Sequence, residues 1–155
     1  MKKLIALFFT GSILFSSCTD QPKQIKLVND RASLPAAFNF DKLGLKVMSS
    51  SINKKHNTMS TLYANTLALQ NAIKGLKIHV PGESFALVTW KRQADDHWFG
   101  ANIPGELQSL ELVNTTGTAV SYKKYEGKAL TLNVDTTGSK QRVSYILSQQ
   151  PSVLP

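Results

Sequence analysis

The chain predicts an α+β fold, a mostly antiparallel β-sheet with flanking short helices. Three observations carry this. Short runs of alternating apolar and polar residues recur from about residue 43 onward, turn-forming residues punctuate them, and only two segments change to the period of a helix.

LGLKVMSSSIN and NTMSTLYAN show broken alternation, and Lys54-Lys55-His56 between them has the composition of a hairpin turn. Asn65 then stands where a helix wants its N-cap, because its side-chain oxygen can accept from a free N–H of the first turn. NTLALQNAIKG places Leu67, Ala68, Ala72 and Ile73 along one helical face, with Gly75 in the left-handed position that ends it. Pro81-Gly82 is a turn. SFALVTWKR follows as the strongest strand, and its near-continuous apolar centre predicts burial on both faces. Gln93 to Asp96 reads as the next turn and HWFGANI as the returning strand. LQSLELV, AVSYKKY and ALTLNV extend the sheet, divided at Thr116-Gly117 and Glu126-Gly127. Thr137-Gly138-Ser139 introduces SKQRVSYILSQQ, a closing helix with Val143, Ile146 and Leu147 on one side.

The N-terminus has a different character. MKKLIALFFTGSILFSSC begins with Lys2 and Lys3, continues through an apolar stretch too short to span a bilayer, and ends in small residues before a cysteine. Leu14 to Cys18 resembles the bacterial lipobox, whose cysteine is diacylated and becomes the first mature residue. Cys18 is the only cysteine, so an exported chain has no internal disulfide partner for it. The expected organisation is a lipoprotein signal peptide over 1–17, a lipidated tether over 18–37 and one folded domain over 38–155. The expected place is the envelope of a Gram-negative bacterium, periplasmic or outer-membrane, with the membrane held through the N-terminal lipid.

Lys and Arg number 18 against 10 Asp and Glu, and the signal removes two lysines and no acid, so roughly +6 remains. The cations fall in short clusters, Lys54-Lys55, Lys91-Arg92 and Lys123-Lys124. With no long basic run and no nucleic-acid-binding motif, they read as surface charge and no nucleic-acid partner is expected. No Gly-x-Ser-x-Gly elbow or P-loop occurs, and the domain has no thiol nucleophile. The adjacent acids Asp95-Asp96 would point to opposite faces of a strand, which does not suit a two-carboxylate mechanism. The chain shows no catalytic residue on these grounds.

The chemistry is densest in WKRQADDHWFG, residues 90–100. As strands, this segment places Trp90 and Arg92 on one face with Lys91 opposite, and His97 with Phe99. Three separated histidines, His56, His79 and His97, have no zinc-site spacing. His56 lies in a polar turn and His79 precedes Val80-Pro81. His97 follows two carboxylates that can orient an imidazole, and Trp98-Phe99 stands beside it.

ALVTWKRQADDHWFGANIP, with LKVMSSSINKKHNTMSTLYAN before it and YKKYEG after, resembles the cytochrome P-460 domain, in particular the lipoproteins of that group in Bacteroidetes-type bacteria. The resemblance covers most of residues 39–155. It implies a compact antiparallel sheet with flanking helices, a periplasmic setting, frequent homodimers and, in haem-bearing members, a c-type haem. Some members oxidise hydroxylamine or bind nitric oxide, and a lysine cross-linked to haem marks the oxidising ones. Lys91 lies on a strand of the character that the cross-linking lysine has. The family's Cys-x-x-Cys-His attachment motif is missing, however, since neither cysteine nor histidine occurs beyond His97. The expectation is a P-460-like domain that has lost covalent haem and acts as a small-ligand-binding or structural module. Tyr63, Trp90, Lys91, His97 and Phe99 are the candidate ligand-binding residues, and no cofactor is expected. The other reading keeps a non-covalent haem ligated by His97, with redox or nitric-oxide chemistry.

Overall fold

Among the described residues, six strands lie in chain order in one antiparallel sheet: β1 (Lys46–Asn53), β2 (Thr58–Ala64), β3 (Ser84–Ala94), β4 (Asn102–Thr116), β5 (Ala119–Glu126) and β6 (Thr131–Asn133). Helix α1 (Thr66–Ile73) lies between β2 and β3, and α2 (Ser139–Leu147) follows β6. The computed structural model describes residues 28–152. Cys18, the signal segment and the first half of the tether, 18–27, lie outside the described residues. Among the described residues no helix is long and apolar enough to cross a membrane.

Side chains alternate across a strand, so the two faces of β3 feed two separate cores. Phe85 and Leu87 point to one side with Met48, Leu62, Ala64 and Val113, and there they meet Ala68 of α1 and Ile146 of α2. Ala86, Val88 and Trp90 point to the other, with Leu107, Leu110, Phe40 and Leu45. β3 is thus buried on both sides, as its apolar run predicts. Two register shifts in the β3–β4 ladder matter for the second core. Thr89 pairs with Ser109 but Trp90 with Leu107, so Gln108 is extra and Leu107 and Leu110 face the same way. Lys91 then stands opposite a second irregularity containing Gly105. A Cβ there would come within 2.9 Å of the Lys91 carbonyl oxygen, so only glycine permits this approach.

The first helix is capped as expected. Asn65 Oδ1 accepts from Ala68 N at 3.0 Å, while its Nδ2 donates to Gly82 O at 2.7 Å and fastens the returning turn. The buried stripe is Ala68, Leu69 and Ala72; Leu67 and Ile73 are exposed, which corrects the expected face. Two helical turns cover only a narrow stripe of sheet, and the cap sets its rotation one residue away from the most apolar choice. ALTLNV also shrinks as a strand, to Thr131–Asn133.

Two larger corrections concern the second face and one end. The chain is tied to the sheet well before Phe38. Leu107 N donates to Arg31 O at 3.0 Å, Trp90 Nε1 to Ala32 O at 2.8 Å and Asn29 Nδ2 to Pro104 O at 2.9 Å. Ala32, Leu34 and Phe38 then pack on the core, so residues 29–37 belong to the packed unit rather than to a free tether. Second, β3 runs on to Ala94 and β4 starts at Asn102, so HWFG is the connecting turn and not the returning strand. Asp95 Oδ1 accepts from His97 N at 2.8 Å and Gly100 takes a φ of +79°, local turn chemistry that overrides the strand preference of Trp98 and Phe99.

Candidate functional site

The five residues singled out from the sequence do not converge. Tyr63 and Trp90 share the face covered by the N-terminal segment, where Phe40 lies 4.8 Å from the Tyr63 ring and Leu45 joins the same core. Trp90 is 7% exposed and its indole N–H is satisfied by Ala32. It borders a shallow groove of about 570 Å³ with Ile52, Met59 and Pro104, which none of the other four residues lines. Lys91 alternates to the opposite face and is exposed. His97 is 81% exposed and lies 3.5 Å from Asp95 at the loop tip, and Phe99 is fully exposed beside it.

A haem held by these residues does not fit this arrangement. An axial His97 at an exposed tip is separated from the Tyr63–Trp90 wall, and that wall is packed by Phe40 and Leu45, with Trp90 alone reaching the groove beside Ile52. Among the described residues no group of three or more His, Cys, Asp or Glu side chains is placed to hold a metal ion.

The structure instead gathers polar groups at the other end of the sheet, on its helical side. Glu83 immediately precedes β3, and its side chain is fully buried. His79 Nδ1 is hydrogen-bonded to Glu83 Oε2 at 2.6 Å, and Asn71 Nδ2 of α1 donates to Oε1 at 2.7 Å. The backbone is pinned as well. Glu83 N donates to Thr115 Oγ1 at 3.0 Å, and that hydroxyl donates to Val80 O at 2.6 Å. The His79 ring meets Phe85 edge-on, centroids 5.9 Å apart. With Nδ1 committed to the carboxylate, Nε2 is the nitrogen left to meet a ligand, in the manner of an oriented histidine.

His79 stands at the junction of several spaces. A void of about 10 Å³, room for a single water, lies between Met48, Asn71, His79 and Glu83. It adjoins an open groove of about 460 Å³ walled by Leu76, Lys77, His79, Leu147 and Gln150. A second groove of about 450 Å³, lined by Met48, Leu69, Ala72, Ile73 and Pro151, continues past Gln150. Ser152 N donates to Met48 O at 2.9 Å, which holds the chain after α2 against β1 as the outer wall. Among the described residues no hydroxyl is hydrogen-bonded to His79, so the pair is a positioned acid–base group without a serine nucleophile.

A second buried carboxylate ties α2 to the sheet. Glu111 of β4 accepts from Arg142 Nε at 3.0 Å and from Tyr122 O–H at 2.6 Å, and pairs also with Arg142 Nη2. Arg142 stacks over Tyr145 at 5.0 Å. Burial first, then the Glu111 hydrogen bond and charge, push the Tyr122 phenol far above its usual range, and Glu111 in turn raises Arg142 further. None of its residues lines the grooves beside His79, and the cluster fastens α2 to the sheet.

Sequence reasoning noticed His79 without assigning it and passed over Glu83, Glu111 and Arg142. The available signal was an acid inside or just before an apolar run, ESFALV and SLELV, since a carboxylate there is buried only with a partner. No protein-family model matches the chain, and no curated protein matches it.

Proposed function

We propose that the chain is a lipid-anchored envelope protein whose cytochrome P-460-like domain works without covalent haem and binds a small amphipathic ligand between α1, α2 and the C-terminal segment. One observation carries the reading: His79, held by a buried carboxylate, stands where a small void meets an open groove. The groove beside Met48 and Leu69 supplies apolar walls and the groove at His79 adds polar ones, Lys77, Ser144, Ser148 and Gln150, the combination that a small amphipathic ligand requires. Met48, Leu76 and Leu147 receive an apolar tail. His79 and Lys77 meet a head group that accepts hydrogen bonds or carries negative charge. The lipobox-like Leu14 to Cys18 supports the anchor, and the antiparallel sheet with two helices is in keeping with the family resemblance. The packing of Phe40 and Leu45 against Tyr63 and Trp90 supports the haem-free form.

Dodecanoate, a carboxylate with an apolar tail, is a suitable probe by titration calorimetry. Saturable one-to-one binding is expected, weakened about tenfold or more in His79→Ala, the loss of one charge-assisted hydrogen bond. A parallel haem titration gives no saturable spectrum on this reading. Absence of dodecanoate binding, or stoichiometric haem binding abolished by His97→Ala, refutes it.

A further inference from the structure

The remaining unexplained surface lies at the opposite end of the sheet from His79. Trp98 is 73% exposed and Phe99 fully so, two adjacent large aromatics at the tip of the β3–β4 connection. Their exposure is built in. Asp95 N donates to Ala101 O at 3.1 Å, Ala101 N to Trp98 O at 3.0 Å, and the Asp95 carboxylate caps His97 N. The loop is a hydrogen-bonded turn that holds both rings outward.

Three features say what covers them. The tether meets the sheet at this end, because Asn29 is bonded to Pro104, and Pro104 pairs with Arg92 two residues before β3 ends. Eleven residue steps separate Cys18 from Asn29, at most about 40 Å of extended chain. A lipid on Cys18 therefore holds this end of the domain within about 40 Å of the bilayer. β3, with 11 residues, carries the His79 end about 35 Å farther along the sheet. The third feature is charge. The β1–β2 turn with Lys54 and Lys55 lies at the same end, since Thr58 pairs with Lys91 and Arg92 N donates to Asn57 O at 2.8 Å. Lys54, Lys55, Lys91 and Arg92 thus lie at the end that carries the aromatic tip, with Arg31 beside Leu107, against Asp30, Asp95, Asp96 and Glu106. Aromatic rings settle at the headgroup level of a bilayer, and each nearby Lys or Arg adds about 1 kcal/mol of attraction to an anionic surface.

We propose that Trp98 and Phe99 form a second membrane contact, inserting into the interface of an anionic bilayer next to the tether, so that the lipid anchor and the tip together orient the domain with the His79 groove facing away from the membrane. The proposal rests on Cys18 being lipidated and is independent of what the groove binds.

The chain's two tryptophans make the test direct, because Trp90 is already buried and only Trp98 can respond. The full-length protein is reconstituted in vesicles of phosphatidylethanolamine and phosphatidylglycerol, and Trp98→Phe supplies the Trp90 baseline and the check on folding. Trp98 emission is expected to shift to the blue, to be quenched by brominated acyl chains and to be protected from aqueous iodide. In the unlipidated chain 18–155 with Cys18→Ser, vesicle affinity is expected to fall at least about tenfold on Trp98→Ser with Phe99→Ser, and to vanish when phosphatidylglycerol is omitted. Iodide-accessible Trp98 without bromine quenching overturns the proposal. So does protection that depends on protein concentration without bromine quenching, which would assign the tip to a second copy. An intact mass lacking the diacylglyceryl group removes the anchor reading alone, and bromine quenching with added vesicles then decides the tip separately.

Discussion

Replacing Arg142 by methionine tests the tie between α2 and the sheet. The Glu111 side chain is 2% exposed, and Arg142 reaches it through both Nε and Nη2, leaving Tyr122 as its remaining partner. Methionine keeps much of the aliphatic volume but removes the charge. Taking one partner from a fully buried pair costs about 3–5 kcal/mol. Arg142 is 43% exposed, however, so solvent already screens the pair and water can enter the vacated position. The cost falls to about 2–3 kcal/mol, or about 8–12 °C in Tm for a domain of this size. Glu111→Gln leaves an arginine free to turn outward and costs about 1–2 kcal/mol. The double variant is expected to cost less than the two singles together by about 1–2 kcal/mol. Urea unfolding followed by circular dichroism measures all three. Additivity within about 0.5 kcal/mol would refute the claim that Glu111 and Arg142 act as a pair.

Alkaline unfolding reports on the same cluster. The Tyr122 phenol is pushed well above the usual 10.0, chiefly by burial, and burial also raises Tyr63. The unfolded chain therefore ionises first. The stabilisation is whole below about pH 10 and is lost as pH rises toward the folded value, by at most about 1.4 kcal/mol per pH unit for each tyrosine. Tyr122→Phe should flatten that decline in denaturation series, and an equally steep decline would place its origin elsewhere. Gly105→Ala forces a methyl against the Lys91 carbonyl and should cost about 1–3 kcal/mol, so an unchanged melting temperature would contradict the tight approach. Asn65→Ala removes the helix cap and the hold on Gly82, with an expected loss of about 1 kcal/mol by chemical denaturation.

Much of the sheet was legible because it rests on short-range chemistry. The Lys54–Asn57 turn, the Asn65 cap, the doubly buried β3 and the apolar side of α2 all follow from period, capping and turn residues. The HWFG segment was misread because aromatic residues favour strands, whereas the Asp95 carboxylate and the left-handed Gly100 close a turn within seven residues. Residues 29–37 were misread for another reason. Trp90 Nε1 and Leu107 N bind their backbone carbonyls, which every residue offers, so composition carries no trace of the contact.

From residues alone came the α+β class, the Asn65 cap and most of the strands, because propensity and periodicity are properties of neighbours along the chain. Which groups meet was decided only by tertiary structure. His79, Asn71 and Glu83 converge because the chain after α1 turns back past the helix to begin β3 beside its Asn65 cap, and Glu111 finds Arg142 across 31 residues. Trp98 and Phe99 lie outside both cores, although either would suit a core by composition. Burial of a carboxylate demands a partner, but only the folding of distant segments onto one sheet supplies its identity.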